Sequence, residues 1–320
     1  MTATVLSTAH LPVDVGPLLG GHDFFEPATG ELSRAEILSR IGSAKGLISL
    51  LNVAVDEELF AAAPNLKVVA NYAVGYDNVD VAGATKRGIV VTNTPDVLTE
   101  ATADFAFALL MAACRRLGEG ERLVRDGAWQ GWSPTLLLGQ PIYGQTLGVI
   151  GAGRIGQAML RRGLGFGMTI LYSGPRRSAG ADALGARYCE LEELLAHSDA
   201  VSLHCPLTNA TRHQIDGAAL KRMKSTAVLV NTARGGCVDT DALAEALREG
   251  VIAGAGLDVF DGEPIVPNSL LGCKTAVLAP HLGSATSVAR EGMAKICADA
   301  IRRVLAGEPA PTALNPEVMT

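Results

Sequence analysis

Short runs of Val, Ile, Leu and Ala punctuate the chain, bounded by Gly, Pro, Asn or Asp, and most are apolar at successive positions instead of alternate ones. Alternation marks a strand with one wet face, whereas a continuous run marks a strand covered on both faces, as in a parallel sheet flanked by helices. Ten such runs are predicted as strands. Four lie early, at Thr4–Ala9, Gly46–Leu51, Val68–Ala73 and Ile89–Asn93. Six follow, at Thr146–Ile150, Thr169–Ser173, Ala200–Cys205, Ala227–Asn231, Gly254–Phe260 and Thr275–Ala279. A group of six suits a complete dinucleotide-binding sheet and a group of four a smaller doubly wound one, so the pattern predicts an α/β protein with two parallel sheets.

Between the groups, Thr99 to Leu117 is dense in Ala, Leu and Phe and predicts a helix, with Asp96 as a candidate cap and Gly118 beyond its end. A second long helix is predicted from Ser284 to Leu305. Gly118 to Tyr143 holds both tryptophans, Trp129 and Trp132, amid Gly and Pro, and reads as a long structured loop that crosses to a partner or covers a site. The expected organisation is discontinuous: residues 1–98 plus 285–320 form one domain, into which a nucleotide-binding domain, residues 99–284, is inserted.

Composition narrows the class. Of 320 residues, 48% are hydrophobic and 19% charged, enough apolar matter for sizeable cores and too much for intrinsic disorder. A mean hydropathy of +0.25 raises the question of a membrane span. The apolar run Phe105 to Cys114, closed by Arg115 and Arg116, falls short of the ~18–20 residues a span needs. The first residues lack the charged start and apolar core of a signal peptide. A net charge of −6 argues against a nucleic-acid partner. The six cysteines are scattered without a C-x-x-C pair, which suggests reduced thiols in a cytoplasmic protein and no metal site.

The segment Thr146-Leu-Gly-Val-Ile-Gly-Ala-Gly-Arg-Ile-Gly156 sets Gly151, Gly153 and Gly156 in G-x-G-x-x-G spacing after a strand and before a helix-like stretch. Gly151 permits the tight turn, Gly153 lets the backbone approach a diphosphate, and Gly156 lets helix and strand pack closely. The anion would sit on the amides at the helix start, with Ala152, Arg154 and Ile155 completing the loop. Similar glycine clusters at Gly163/Gly165/Gly167 and Gly254/Gly256 are expected to end a helix and to let a strand pack closely.

The next strand ends in Ser173-Gly174-Pro175-Arg176-Arg177, where NAD-preferring sites carry an acidic residue for the ribose hydroxyls. Here no carboxylate appears before Asp182. Two guanidinium groups suit the 2′-phosphate of NADP, so NADP(H) is the preferred cofactor, with NAD(H) the other possibility. The plainer reading makes Arg176 and Arg177 a solvated turn.

Three later strands each end near a residue with chemistry to offer: Arg234 in Asn231-Thr-Ala-Arg-Gly-Gly, Glu263 in Leu257-Asp-Val-Phe-Asp-Gly-Glu-Pro, and His281 in Ala279-Pro-His-Leu-Gly-Ser. Ligands of parallel sheets bind at the carboxyl ends of strands, so the three can converge.

With these segments, the sequence resembles the D-isomer-specific 2-hydroxyacid dehydrogenases from about Gly46 to the end. The resemblance includes Asn71-Tyr-Ala-Val-Gly-Tyr-Asp-Asn-Val-Asp80, the stretch from Thr92 to Asp104, and His204-Cys-Pro-Leu-Thr208. Within the family the chain is most similar to glyoxylate/hydroxypyruvate reductases. The resemblance implies a Rossmann nucleotide domain inserted in a smaller flavodoxin-like substrate domain. It implies that Arg234 holds the substrate carboxylate and that His281 donates the proton to the carbonyl oxygen as hydride arrives. Glu263 would fix the imidazole tautomer and raise its pKa. The amides of Val74 and Gly75 would bind the carboxylate, unless Gly75 is an ordinary turn glycine. Thr102, Cys205, Pro206, Thr232, Ala233, Asp258 and Gly283 resemble cofactor-lining positions; Asp258 is alternatively a strand-end turn former. Trp132 resembles a tryptophan that reaches a neighbouring subunit's site and so implies a homodimer, unless it anchors its loop to its own domain. The other histidines, His10, His22, His197, His204 and His213, are read as structural or exposed.

The leading expectation is an NADPH-preferring reductase of small 2-oxo acids (glyoxylate, hydroxypyruvate). A dinucleotide-sensing regulator is a competing class, disfavoured by the intact Arg234/Glu263/His281 set and the lack of an interaction tail. Another family dehydrogenase, for a substrate such as phosphite or another D-2-hydroxy acid, is the third reading.

Overall fold

The computed structural model describes residues 4–319. They divide into two compact units, one running up to Leu98 and resuming at Ala285, the other Thr99–Ser284.

In the first unit, β1 (Val5–Ser7), β2 (Phe24–Phe25), β3 (Gly46–Ser49), β4 (Val68–Asn71) and β5 (Val90–Thr92) pair in parallel in the order β2-β1-β3-β4-β5. This doubly wound order is that of flavodoxin-like folds. One face carries Leu6, Leu47, Val69 and Val91 against Ile37, Ile41, Leu59 and Phe60, all buried. Three short helices on the unit start at side-chain caps, Ser33, Asp56 and Asp80, each accepting from an amide three residues on. The helix Ser287–Leu305, capped by Thr286, packs on β3 and β4 and buries Met293, Ala294, Cys297 and Ile301. The Asn315 side chain accepts from the Val91 amide at 2.8 Å and donates to the Ile89 carbonyl at 2.9 Å, which ties the last segment to β5.

The second unit holds β6 (Thr146–Ile150), β7 (Thr169–Ser173), β8 (Arg187–Tyr188), β9 (Ala200–Leu203), β10 (Val228–Asn231), β11 (Gly254–Leu257) and β12 (Ala276–Leu278). They form one parallel sheet in the order β12-β11-β10-β9-β6-β7-β8. Strand order reverses at β6 and β9, the switch point where such sheets bind dinucleotides. The helices Thr99–Cys114 and Arg154–Gly165 cover one face through Phe107, Leu110, Met159 and Leu160. Leu194, Leu220, Leu243 and Leu247 cover the other. Gly256 in β11 is needed for this packing, since a Cβ there would stand 2.9 Å from the Leu109 Cβ.

The sheets therefore have five and seven strands, not four and six. Both extra strands are two-residue edge strands, Phe24–Phe25 and Arg187–Tyr188, too short to produce an apolar run. Several strands also stop before their apolar runs do; Val259 and Phe260 stay buried after β11 ends at Leu257 because the core extends under the loop. The first long helix ends at Cys114, not Leu117, where Arg116 turns left-handed at φ 52°. A further helix, Leu117–Arg125, occupies the start of the segment predicted as loop. Gly118 and Gly120 concealed it, and an Arg116–Glu119 ion pair at 2.8 Å supports its first turn. The last long helix begins at Ser287, three residues after the predicted start. Asp96 stands outside the helix it was expected to cap, with φ 69°. The helix Arg154–Gly165 does end among the clustered glycines, with Gly167 following at φ 63°, whereas Gly163 lies buried inside it, where a Cβ would stand 2.8 Å from Leu147 Cδ2.

Candidate active site

The loop after β6 is shaped by its glycines. Gly151 has φ 93°, and a Cβ there would stand 2.7 Å from the Cys205 amide nitrogen. At Gly156 a Cβ would stand 2.1 Å from the Gly151 carbonyl oxygen, so the helix Arg154–Gly165 can begin this close to the strand only without a side chain. Gly153 differs: a Cβ there would meet nothing within 4 Å, leaving the backbone open to an approaching group. Gly153 is also the N-cap and has no side chain to satisfy the first amides of the helix. Open backbone and uncapped amides fit a diphosphate.

Beyond β7 the chain runs through Ser173, which is buried, to Gly174, Pro175, Arg176 and Arg177; the last three are exposed. Arg176 has no hydrogen-bond or ionic partner among the described residues, while the Arg177 guanidinium lies 5.5 Å from the Tyr188 ring centre and 4.0 Å from Asp182. Asp182 accepts from the buried Tyr172 hydroxyl at 2.6 Å, and that hydroxyl accepts from the Ser178 amide at 3.1 Å. Gln157 donates to both the Ala152 carbonyl and the Ser178 hydroxyl at 3.1 Å, joining this loop to the glycine loop. Sequence reasoning missed Gln157 and Ser178 because neither belongs to the glycine spacing.

Arg234, Glu263 and His281 follow β10, β11 and β12, at the carboxyl edge of one sheet. Their loops interlock. A Cβ on Gly235 would stand 1.9 Å from the Phe260 carbonyl carbon, so the turn after Arg234 nests against the loop carrying Glu263. Glu263 Oε1 accepts from the Phe260 amide at 2.9 Å and Oε2 lies 2.8 Å from His281 Nδ1. Burial pushes the Glu263 carboxyl up, but the bonds from His281 and the Phe260 amide, with the charges of His281 and Arg234, outweigh it and hold the carboxyl below its ordinary value. An ionised carboxylate only accepts, so Nδ1 carries hydrogen and Nε2 is left for proton exchange with a ligand.

His281 itself has left-handed backbone, φ 55°, costing roughly 1–2 kcal/mol for a residue with a Cβ. Asp258 enforces it. Its carbonyl accepts from the His281 amide at 2.9 Å, and its carboxylate accepts from the Leu282 amide at 2.6 Å and the Gly283 amide at 2.7 Å. Burial raises the Asp258 carboxyl above its ordinary value despite those two amides. Thr102 lies close by, since a Cβ at Gly283 would stand 3.3 Å from the Thr102 methyl. Thr232 Oγ1, after β10, is buried with no hydrogen-bond partner, and a bound ligand would satisfy it. Ala233 and Pro206 border the same strand ends, half-buried and exposed respectively.

Cys205 packs its Sγ 4.0 Å from that of Cys237 and receives a bond from Gln214 Nε2 at 2.8 Å. The Cys237 thiol and Gln214 together lower the Cys205 thiol and outweigh its burial. Burial takes the His204 imidazole down to about 3, so the ring is neutral beside the Ser202 hydroxyl at 2.8 Å.

In the first unit, Val74 and Gly75 follow β4. Neither amide donates to any acceptor among the described residues. Two adjacent free amides can bind a carboxylate. Asn52, just after β3, donates from its side chain to Glu31 at 2.7 Å. Trp132 and Trp129 are 84% and 55% exposed, so Trp132 has little of its surface packed on its own unit. Among the described residues no three His, Cys, Asp or Glu side chains gather to hold a metal ion, and no helix is long and apolar enough to cross a membrane.

Residues 107–283 match the family described as D-isomer specific 2-hydroxyacid dehydrogenase, NAD binding domain. The chain is 52% identical over 294 residues to a glyoxylate reductase of Thermococcus onnurineus, covering 90% of this chain and 88% of that one. A crystal structure of a Thermus thermophilus protein superposes with a TM-score of 0.92 at 45% identity, covering 97% of this chain and 99% of the other. An NADPH-dependent glyoxylate/hydroxypyruvate reductase from Sinorhizobium meliloti, solved with NADP and malonate, superposes with a TM-score of 0.85 at 34% identity. There the coverage is 98% of this chain and 97% of that one.

Proposed function

The chain belongs to the D-isomer-specific 2-hydroxyacid dehydrogenase family, and within it we propose an NADPH-preferring reductase that converts glyoxylate to glycolate and hydroxypyruvate to D-glycerate. The observation that carries this reading is the Glu263–His281 pair, 2.8 Å apart, beside Arg234 on three successive strand ends. Residues 99–284 are the nucleotide-binding domain in this reading, and residues 1–98 with 285–320 the substrate domain.

The bound nicotinamide supplies the hydride. Arg234 forms a two-pronged ionic bond with the substrate carboxylate and so fixes which face of the keto carbon is presented. The Val74 and Gly75 amides are further donors to that carboxylate. His281 gives the Nε2 proton to the carbonyl oxygen as it becomes a hydroxyl, and takes it back in the reverse direction. Ionised Glu263 stabilises the charged imidazole and holds its ring, while Asp258 holds its backbone. The diphosphate rests on Gly151, Ala152, Gly153, Arg154, Ile155 and Gly156. Arg176 and Arg177 take the 2′-phosphate, a preference supported by the Sinorhizobium relative's NADP complex. Thr102, Cys205, Pro206, Thr232, Ala233, Asp258 and Gly283 line the rest of the cofactor site.

A homodimer completes the proposal. Leu117, Val124, Trp129, Trp132, Leu138 and Tyr143 are 55–84% exposed along one segment, an apolar concentration that favours burial against a second copy. Light scattering measures this directly, and a monomer refutes it.

The test of the activity is the initial rate of cofactor oxidation with glyoxylate and with hydroxypyruvate, each with NADPH and with NADH. Fast NADPH consumption supports the reaction and the cofactor preference together. His281→Ala should cut turnover by about two to four decades with cofactor affinity retained. Unchanged turnover removes His281 from the mechanism.

A further inference from the structure

The loop that presents the Val74 and Gly75 amides is gripped from behind. β4 and β5 deliver three polar groups against three consecutive carbonyls. The Thr94 amide donates to the Ala73 carbonyl at 3.0 Å, Asn93 Nδ2 to the Val74 carbonyl at 2.9 Å, and Asn71 Nδ2 to the Gly75 carbonyl at 2.8 Å. Asn71 is itself fixed: Asn78 Nδ2 donates to its Oδ1 at 3.1 Å and also bonds the Leu50 and Val53 carbonyls.

Peptide geometry turns this grip into a direction. In a trans peptide, the carbonyl of one residue and the amide of the next point opposite ways across a rigid plane. The bonds around Val74 and Gly75 are trans. Holding the Ala73 carbonyl therefore aims the Val74 N–H away from Thr94, and holding the Val74 carbonyl aims the Gly75 N–H away from Asn93. Without such anchors the two planes could rotate independently, and a flexible loop pays an ordering cost each time it binds an anion.

We infer that Asn93 is a positioning residue for substrate: by bonding the Val74 carbonyl it aims the Gly75 amide at the carboxylate of the 2-oxo acid. This rests on the reading of Val74 and Gly75 as carboxylate donors. Asn93 does not touch substrate; its effect passes through one peptide plane. Asn71 holds the following peptide and acts in support.

Asn93→Ala removes the donor at a half-buried position, and the isosteric Asn93→Asp replaces it with a group that, when ionised, cannot donate. In either variant KM for glyoxylate and the inhibition constant of oxalate, a dead-end dicarboxylate, should rise about tenfold, the worth of one charge-assisted bond. NADPH affinity, read by fluorescence without substrate, should not change, and kcat should fall far less than KM rises. A merely structural role would lower the melting temperature and both affinities together. The inference is overturned if folded variants keep the wild-type KM and oxalate affinity, or if NADPH affinity falls in parallel. Wild type that reduces no 2-oxo acid would instead remove the proposed function itself, an outcome distinct from failure of Asn93. If Asn93→Ala does not fold, Asn93→Asp carries the test, because it preserves the volume of the native side chain.

Discussion

Gly153 and Gly156 stand three residues apart in one motif, yet the structure assigns them opposite sensitivities. At Gly156 an added Cβ would lie 2.1 Å from the Gly151 carbonyl oxygen, a backbone atom that cannot swing aside. Helix and strand must separate, and overpacking of this kind costs about 1–3 kcal/mol. In a unit of this size that corresponds to a fall in melting temperature of about 3–10 °C. At Gly153 the Cβ meets nothing within 4 Å, and φ −74° with ψ −162° is open to alanine. The folded-state cost is then only the weaker capping by Ala, a fraction of a kcal/mol to about 1 kcal/mol. That same open space is where a diphosphate would meet the backbone, so Gly153→Ala should weaken NADPH by about tenfold or more, as the anion loses close contact with the helix amides. Calorimetry of both variants and NADPH titration by fluorescence measure the two quantities separately. The expected pattern is crossed: Gly153→Ala melts close to wild type but binds poorly, whereas Gly156→Ala melts early. Full NADPH affinity in Gly153→Ala would refute the placement of the diphosphate, whatever the melting temperatures show.

Three other outcomes test neighbouring parts of the site. Replacing Arg176 and Arg177 together with Ala should weaken NADPH by roughly 10–100-fold through loss of charge-assisted bonds, with NADH hardly affected; equal losses for both cofactors end the 2′-phosphate assignment. The folded state holds the Glu263 carboxyl below the unfolded value of 4.5, so its contribution to stability is fully present above that pH and is lost as pH falls through the lower folded value. Glu263→Gln should therefore flatten part of the acid limb of stability, measured as urea midpoints between about pH 3 and 7, and an unchanged limb contradicts the assignment. Among the six cysteines Cys205 alone has a lowered thiol, while burial raises Cys114, Cys189, Cys273 and Cys297, and Cys237 is raised chiefly by its bond to Cys205. Iodoacetamide followed by peptide mass spectrometry should find Cys205 alkylated first, with NADP protecting it; prior labelling of any other cysteine would falsify that order.

What the chain disclosed in advance divides along a physical line. The buried strands, the glycine loop and the strand-end Arg234, Glu263 and His281 are local signals: a continuous apolar run, a fixed spacing, a polar residue where a run stops. Each constrains its own neighbourhood, so it survives as text. The edge strands Phe24–Phe25 and Arg187–Tyr188 had no such signature, because an edge strand needs a partner more than it needs a pattern. Hydrogen-bond partners were the least legible, and Asp258 shows why. Its position after an apolar strand allowed two readings, a cofactor contact or a turn former, and nothing nearby in sequence separates them. The structure gives both carboxylate oxygens to Leu282 and Gly283, residues that reach Asp258 only because β12 pairs with β11 and returns its loop alongside. Asn93 is the same case, since the carbonyl it bonds belongs to the loop after the neighbouring strand. A side chain whose work is to orient a neighbour's backbone leaves its mark on the partner's geometry, not on its own surroundings in the chain. The candidate reacting groups could therefore be nominated from sequence, while the side chains bonded around them required the sheet to be assembled first.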